Sequence, residues 1–229
     1  MATPEGRWVR RWCAALLLLA TGCARLPGEP DPADEPERPD KVLDFAKLFK
    51  KNCSGCHGAD GTLGPGPALN DATFRAIVAE DDLRLVVAAG RKGTSMPGFA
   101  RHNGGTLTAE QIEVLVRGIK THWGAGNAPK DCPPYALQGK GDAAHGKVIF
   151  DKTCAKCHGT EEKPGKRGVI SEAAFLGVTS DQLLRRTMIT GRADLAAKMP
   201  GYGDLGLSSQ DIEDVTAWLA TKRHVSAGK

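Results

Sequence analysis

The sequence predicts an all-α chain built as two tandem copies of one small helical unit. Apolar residues recur at helical spacing, as in Val42, Phe45, Leu48 and Phe49. The order Cys-x-x-Cys-His occurs twice, from Cys53 to His57 and again, 101 residues later, from Cys154 to His158. Near the end of each half, Leu107-Thr-Ala-Glu-Gln-Ile-Glu113 aligns without a gap on Leu207-Ser-Ser-Gln-Asp-Ile-Glu213, which marks an internal duplication.

On a helix, cysteines at i and i+3 face the same way, so both thiols reach the vinyl groups of one porphyrin while the following histidine turns its imidazole to the iron. In an exported chain that order is the attachment site of a c-type haem. Cys53, Cys56 and His57, and then Cys154, Cys157 and His158, therefore predict two covalently bound haem c groups. A small domain has a marginal core of its own, and a covalent haem completes it. Seven cysteines are present. Cys13 and Cys23 fall at the N-terminus, four hold haem, and Cys132 is left as a free loop thiol that can also pair between molecules or reach a haem.

Residues 1–22 read as a signal peptide. Arg7, Arg10 and Arg11 precede an apolar run from Cys13 to Ala20, far short of the ~20 residues that span a bilayer. The ending Leu19-Ala-Thr-Gly-Cys23 resembles a bacterial lipobox, which implies lipidation of Cys23; the alternative is an ordinary cleaved signal and a soluble periplasmic protein. Residues 23–40 carry six acids against two arginines among many prolines, the composition of a disordered tether. At roughly 3 Å per residue it reaches on the order of 50 Å.

Residues 41–123 form the first domain. A helix over 41–52, capped by Asp40, leads into Cys53. A Gly/Pro-rich loop follows to Asn70, then short helices at 71–79 and 81–89 ending at Gly90. After Gly93-Thr-Ser-Met96-Pro97-Gly98-Phe99, a last helix starts at Thr108, where Thr108 and Gln111 make a capping box, and runs to about His122. Residues 124–141 are a Gly/Pro linker. Residues 142–229 repeat the plan: a first helix from Asp142 to Phe150, a middle helix from Asp181 to Thr190, Met199-Pro200-Gly201-Tyr202, and a last helix from Ser208 to about Lys222.

Net charge is +4; residues 41–229 hold 26 Lys and Arg against 20 Asp and Glu, an excess that about four haem propionates largely offset. No basic run with interleaved aromatics occurs, so no nucleic-acid footprint is read.

Together, Cys-x-x-Cys-His after a first helix, a Met-Pro-Gly-aromatic loop about 40 residues later and a closing helix resemble class I c-type cytochromes fused in tandem, over residues 41–122 and 142–224. The resemblance implies that first and last helices cross, a glycine on the first packing against an aromatic on the last, as Gly146, Phe150 and Trp218 suggest. The first unit exchanges large and small, with Phe45 at the glycine position and Gly118 at the tryptophan position. It also implies Met96 and Met199 as the second axial ligands, with Pro97 and Pro200 stiffening their loops and Met188 in the core. Carbonyls of Pro67 or Pro65, and of Pro164, are expected to accept the Nδ1 protons of His57 and His158. Arg91 and Arg192 are propionate partners or plain surface arginines. His102, His122, His145 and His224 have no ligand context.

His/Met ligation leaves no vacant iron position, so the resemblance implies single-electron transfer and no small-molecule substrate. Expected partners are redox proteins or membrane respiratory complexes at the periplasmic face, reached from the lipid anchor. A mobile carrier and a dedicated subunit of a respiratory or dehydrogenase complex both fit. A third reading, a dihaem enzyme of the peroxidase or thiosulfate-oxidising type, needs an open or cysteine-ligated haem, and Cys132 keeps it in view.

Overall fold

The structure, a computed structural model, describes residues 31, 35–160, 162–194 and 198–224. The chain divides into residues 1–39 and residues 40–229. Of the first part only 31 and 35–39 are described, all exposed; the signal segment, Cys23 and most of the tether lie outside the described residues.

The second part is helical, and among the described residues only isolated β-bridges interrupt that pattern. In its first half α1 spans Phe45–Asn52, α2 Ser54–His57, α3 Ala72–Ile77, α4 Glu80–Ala89 and α5 Ala109–Thr121. The cap of α1 is Asp44 rather than Asp40: its carboxylate accepts the Lys47 N–H at 2.7 Å. The preceding residues run extended because the Val42 carbonyl is taken by the Gln111 side chain at 3.0 Å, which ties the chain to α5. Asp71 caps α3 through the Phe74 N–H (2.7 Å), and the Thr108/Gln111 capping box opens α5 as its sequence requires.

In the second half α6 spans Ala143–Ile149, α7 Ala155–His158, α8 Ala173–Gly177, α9 Asp181–Thr190, α10 Tyr202–Leu205 and α11 Ser209–Thr221. Asp142 caps α6, and Ser208 with Asp211 forms the box at the head of α11. A π-helical turn, Phe150–Cys154, joins α6 to α7. Neither that turn nor the short α8 and α10 has a periodic signature in the sequence.

Each half has its own core. Leu115, Val116 and Ile119 of α5 anchor the first, with Phe49, Phe74 and Val87; Ile212, Val215 and Leu219 of α11 anchor the second, with Phe150, Leu176, Ile189 and Met188. First and last helices cross in both, by different means. A Cβ on Gly118 would lie 1.9 Å from the Phe45 ring, so glycine admits the phenylalanine, and Trp123 stands edge-on to Phe45 and Phe49 at 5.8 and 5.3 Å. In the second half, a Cβ on Gly146 would lie 1.9 Å from the backbone oxygen of Asp214, and Trp218 packs one turn further on against Phe150, at 4.4 Å between centroids. Gly146 thus faces backbone rather than Trp218, because without a side chain between them the helices close until main chains meet.

Residues 124–141 pack on both halves. Asn127 donates to the Ala72 carbonyl at 2.9 Å, and Tyr135 is buried in the first core, edge to Phe74. Gln182 and Arg185 of α9 donate to the carbonyls of Tyr135 (2.6 Å) and Pro134 (2.8 and 3.1 Å). No helix among the described residues is long and apolar enough to cross a membrane.

Candidate haem sites

Cys53 ends α1 and begins α2, so its thiol turns inward while Cys56, one turn on, is exposed. Cys154 closes the π-helical turn and is half-buried, and Cys157 on α7 is exposed. None of the four is in a disulfide, and in the protein alone burial, reinforced by the neighbouring cysteine of each motif, pushes the Cys53 thiol up to about 12 and that of Cys154 up to about 11. Each motif therefore offers one thiol on the core side and one at the surface.

The two histidines are oriented alike. His57 Nδ1 lies 2.8 Å from the carbonyl of Pro67, and His158 Nδ1 lies 3.1 Å from that of Gly168. A carbonyl only accepts, so Nδ1 carries the proton in both rings and Nε2 keeps its lone pair for a metal. The partner of His158 is thus Gly168, not Pro164, which lies against the backbone of Gly159 instead. Both acceptors stand ten residues after their histidine, and that interval, rather than residue type, is the usable sequence signal. The loops match atom for atom elsewhere: a Cβ on Gly64 or on Gly165 would lie 2.2 Å from the carbonyl oxygen of Cys56 or of Cys157. A Cβ on Gly66 would come within 3.0 Å of the His57 ring. His57 is buried and His158 half-buried. Burial depresses the His57 imidazole, the Pro67 hydrogen bond opposes this, and the charge of Arg186 adds to the depression.

The methionine loops also repeat. α4 ends at Gly90 and α9 at Gly191, with φ of +71° and +66°, and a Cβ on either would strike the carbonyl oxygen of Met96 (2.5 Å) or Met199 (2.4 Å). The next N–H, of Arg91 or Arg192, donates to that same methionine carbonyl at 2.9 Å. The loops differ in how the methionine N–H is held: Met96 donates to Thr94 Oγ1 at 3.2 Å, Met199 back to the Arg192 carbonyl at 3.2 Å. Both methionines are half-buried. The side chains of the two arginines bond within the protein, Arg91 to the Tyr135 hydroxyl at 2.8 Å and Arg192 to both oxygens of Asp194 at 2.8 and 3.0 Å.

This donor set fits a covalent haem in each unit: two cysteines outside any disulfide on one turn, an imidazole anchored at Nδ1 with Nε2 left open, and a glycine-lined loop beside it. Of the other histidines, His122 stacks on Phe45 at 4.7 Å and His145 bonds to Asp214 at 2.7 Å; the side chain of His224 lies outside the described residues. Cys132 packs against the second core, where burial pushes its thiol up against a lowering hydrogen bond with Tyr202. The sequence pattern gives no sign of Arg186, a buried cation beside the first unit, because helical periodicity has no means of marking it.

Comparison with known proteins agrees with this reading of the cofactor. The family model "Cytochrome C oxidase, cbb3-type, subunit III" matches residues 40–117 and again residues 141–219. The cbb3-type cytochrome c oxidase subunit FixP of Rhizobium etli is 33% identical over 140 residues, covering 57% of this chain and 44% of that protein. The corresponding CcoP of Azospirillum sp. is 26% identical, covering 80% and 62%. The cytochrome bc1 complex cytochrome c subunit of Mycobacterium leprae is 28% identical, covering 76% and 59%. The chain thus spans about half the length of these relatives. With two family segments that together take in both haem motifs, the chain belongs to the cbb3-type cytochrome c oxidase subunit III family, as a tandem class I c-type cytochrome with two covalently bound haem c groups.

Proposed function

We propose that this chain is the electron-transferring cytochrome subunit of a membrane respiratory complex, working at the periplasmic face and tethered through Cys23. The observation that carries the reading is the twofold repeat of one arrangement, an Nδ1-anchored histidine and a methionine loop clamped by its own glycine and arginine. Haem iron supplies a one-electron ferric/ferrous couple when bound. The chain's residues do the rest. Cys53, Cys56, Cys154 and Cys157 would hold it, His57 and His158 would ligate it with rings already oriented at Nδ1, and Met96 and Met199 would supply the second ligand from loops held by their own hydrogen bonds. Thioether ligation would raise the potential and leave the iron no open position for a substrate. Support for a complex rather than a mobile carrier comes from the relatives, which are named as subunits of oxidase and bc1 complexes.

The test is a redox titration followed by absorbance, with purification in mild detergent. Two high-potential couples are expected, and the methionine-to-iron charge-transfer band should fall by about half in Met96→Ala and in Met199→Ala. Tight cyanide binding by the resting parent protein would overturn six-coordination. Stoichiometric recovery of a respiratory complex is expected, and its absence turns the reading to a mobile carrier. Cys23→Ala should release the protein from membranes.

A further inference from the structure

Where the halves meet, a cleft of about 190 Å³ is lined by Pro67, Ala68 and Asp71 from the first and by Arg186 and Arg192 from the second. Arg186, on α9, is 5% exposed. Its guanidinium donates to the carbonyl of Ala68 and lies 3.5 Å from the centroid of the Phe74 ring. Among the described residues no carboxylate forms an ion pair with it, which is unusual for a buried cation. The charged neighbours that act on it are Asp71, which favours its charge, and Arg91 and Arg192, which oppose it. Burial, the largest influence, brings it down to about 10, so it stays protonated at neutral pH.

The contact falls at a sensitive place. Ala68 directly follows Pro67, whose carbonyl holds Nδ1 of His57. Arg185, the neighbour of Arg186 on the helix, points the other way and pairs with Glu213 inside the second half. The equivalent carbonyl in the second unit, Gly168, has no such cation against the next residue among the described contacts.

We propose that Arg186 is the residue through which the second unit sets the reduction potential of the first, its buried guanidinium favouring the reduced state of the haem at His57. The physics is a charge count. Reduction adds one electron to the site without a proton, so its charge falls by one, and a fixed cation shielded from water stabilises that change. The inference rests on the proposed His57/Met96 haem.

The experiment is a spectroelectrochemical titration of the full dihaem protein with soluble mediators, comparing parent, Arg186→Lys and Arg186→Gln. Met96→His serves only to identify the first unit's couple. In Arg186→Gln the ferrous-to-ferric ratio of that couple at fixed potential should fall about tenfold, which for one electron is about 59 mV. The second couple should move by less than half as much, and Arg186→Lys should keep most of the parent value. Asp71→Asn, which retains a capping side chain for α3, should shift the first couple upward and serves even if Arg186→Gln does not assemble. An unmoved first couple in Arg186→Gln, an equal fall in Arg186→Lys, or a downward shift in Asp71→Asn would each overturn the proposal. Absent haem or an absent methionine band in the parent would instead overturn the underlying function.

Discussion

The two halves carry the same ion pair with opposite consequences. Arg84 of α4 meets Glu113 of α5, and Arg185 of α9 meets Glu213 of α11, at matching places in the duplication. The first pair is more than a third exposed on both sides; the second is 0% and 5% exposed. What separates them is residues 134–138. The Pro134 carbonyl accepts from Arg185, and the Gln138 N–H donates to Glu213 at 2.9 Å, so that segment covers the second pair and leaves the first in water. Identical residues are thus a surface contact in one unit and a buried network joining α9, α11 and the connecting segment in the other.

Arg185→Met should be the most damaging single change, because it leaves Glu213 buried without its partner, a loss of about 3–5 kcal/mol. Arg84→Met should leave the midpoint of thermal unfolding almost where it was. Similar losses from the two variants, measured by calorimetry, would break the comparison.

The helix crossings make a second contrast. In the second unit Gly146 meets backbone, which cannot move aside, so Gly146→Leu should cost more than about 3 kcal/mol and lower the haem content of that unit. In the first, Gly118 meets the Phe45 side chain, so Gly118→Trp should cost about 1–3 kcal/mol. Most of that loss should return in the double variant with Phe45→Gly, which transplants the size order of the second unit. A double variant no better than Gly118→Trp alone would show that the two residues are not coupled.

The smallest effect concerns pH and belongs to the second unit alone. His145 bonds to the buried Asp214 at 2.7 Å, whereas the matching positions of the first unit are Asp44 and Val114. The Asp214 hydrogen bond and charge raise the imidazole above its ordinary value. Burial pushes Asp214 up, but hydrogen bonds from His145, the Asp142 backbone and Gln210 outweigh it and hold the carboxyl low. A raised histidine contributes stability that is complete below about pH 6.5 and fades as pH climbs through its folded value. A lowered aspartate contributes above about pH 3.9 and loses it on further acidification. The pair therefore stabilises most between those limits, and His145→Gln should flatten the fall in melting temperature from about pH 6 to about pH 8. An unchanged slope would remove the pair from the account.

Much of the fold is legible in the residues alone. Capping at Thr108 and Ser208 and the span of α9 follow from local signals, since caps and periodicity act over a few residues, whereas the Phe45/Gly118 contact is suggested only by the family resemblance together with the internal repeat. Asp44 displaces Asp40 as the cap of α1 because a side chain sixty-nine positions away, Gln111, claims the Val42 carbonyl. Gly168 displaces Pro164 because loop path, not ring chemistry, decides which carbonyl reaches Nδ1.

The sequence by itself determined that two helical units each present paired thiols, a histidine and a methionine, because those patterns are local and occur twice. Tertiary structure alone decided which of two equal ion pairs is buried, which carbonyl orients each histidine, and that Arg186 of one unit reaches the histidine loop of the other. Those outcomes depend on which surfaces meet, and residues far apart in the chain carry no periodic mark of their meeting.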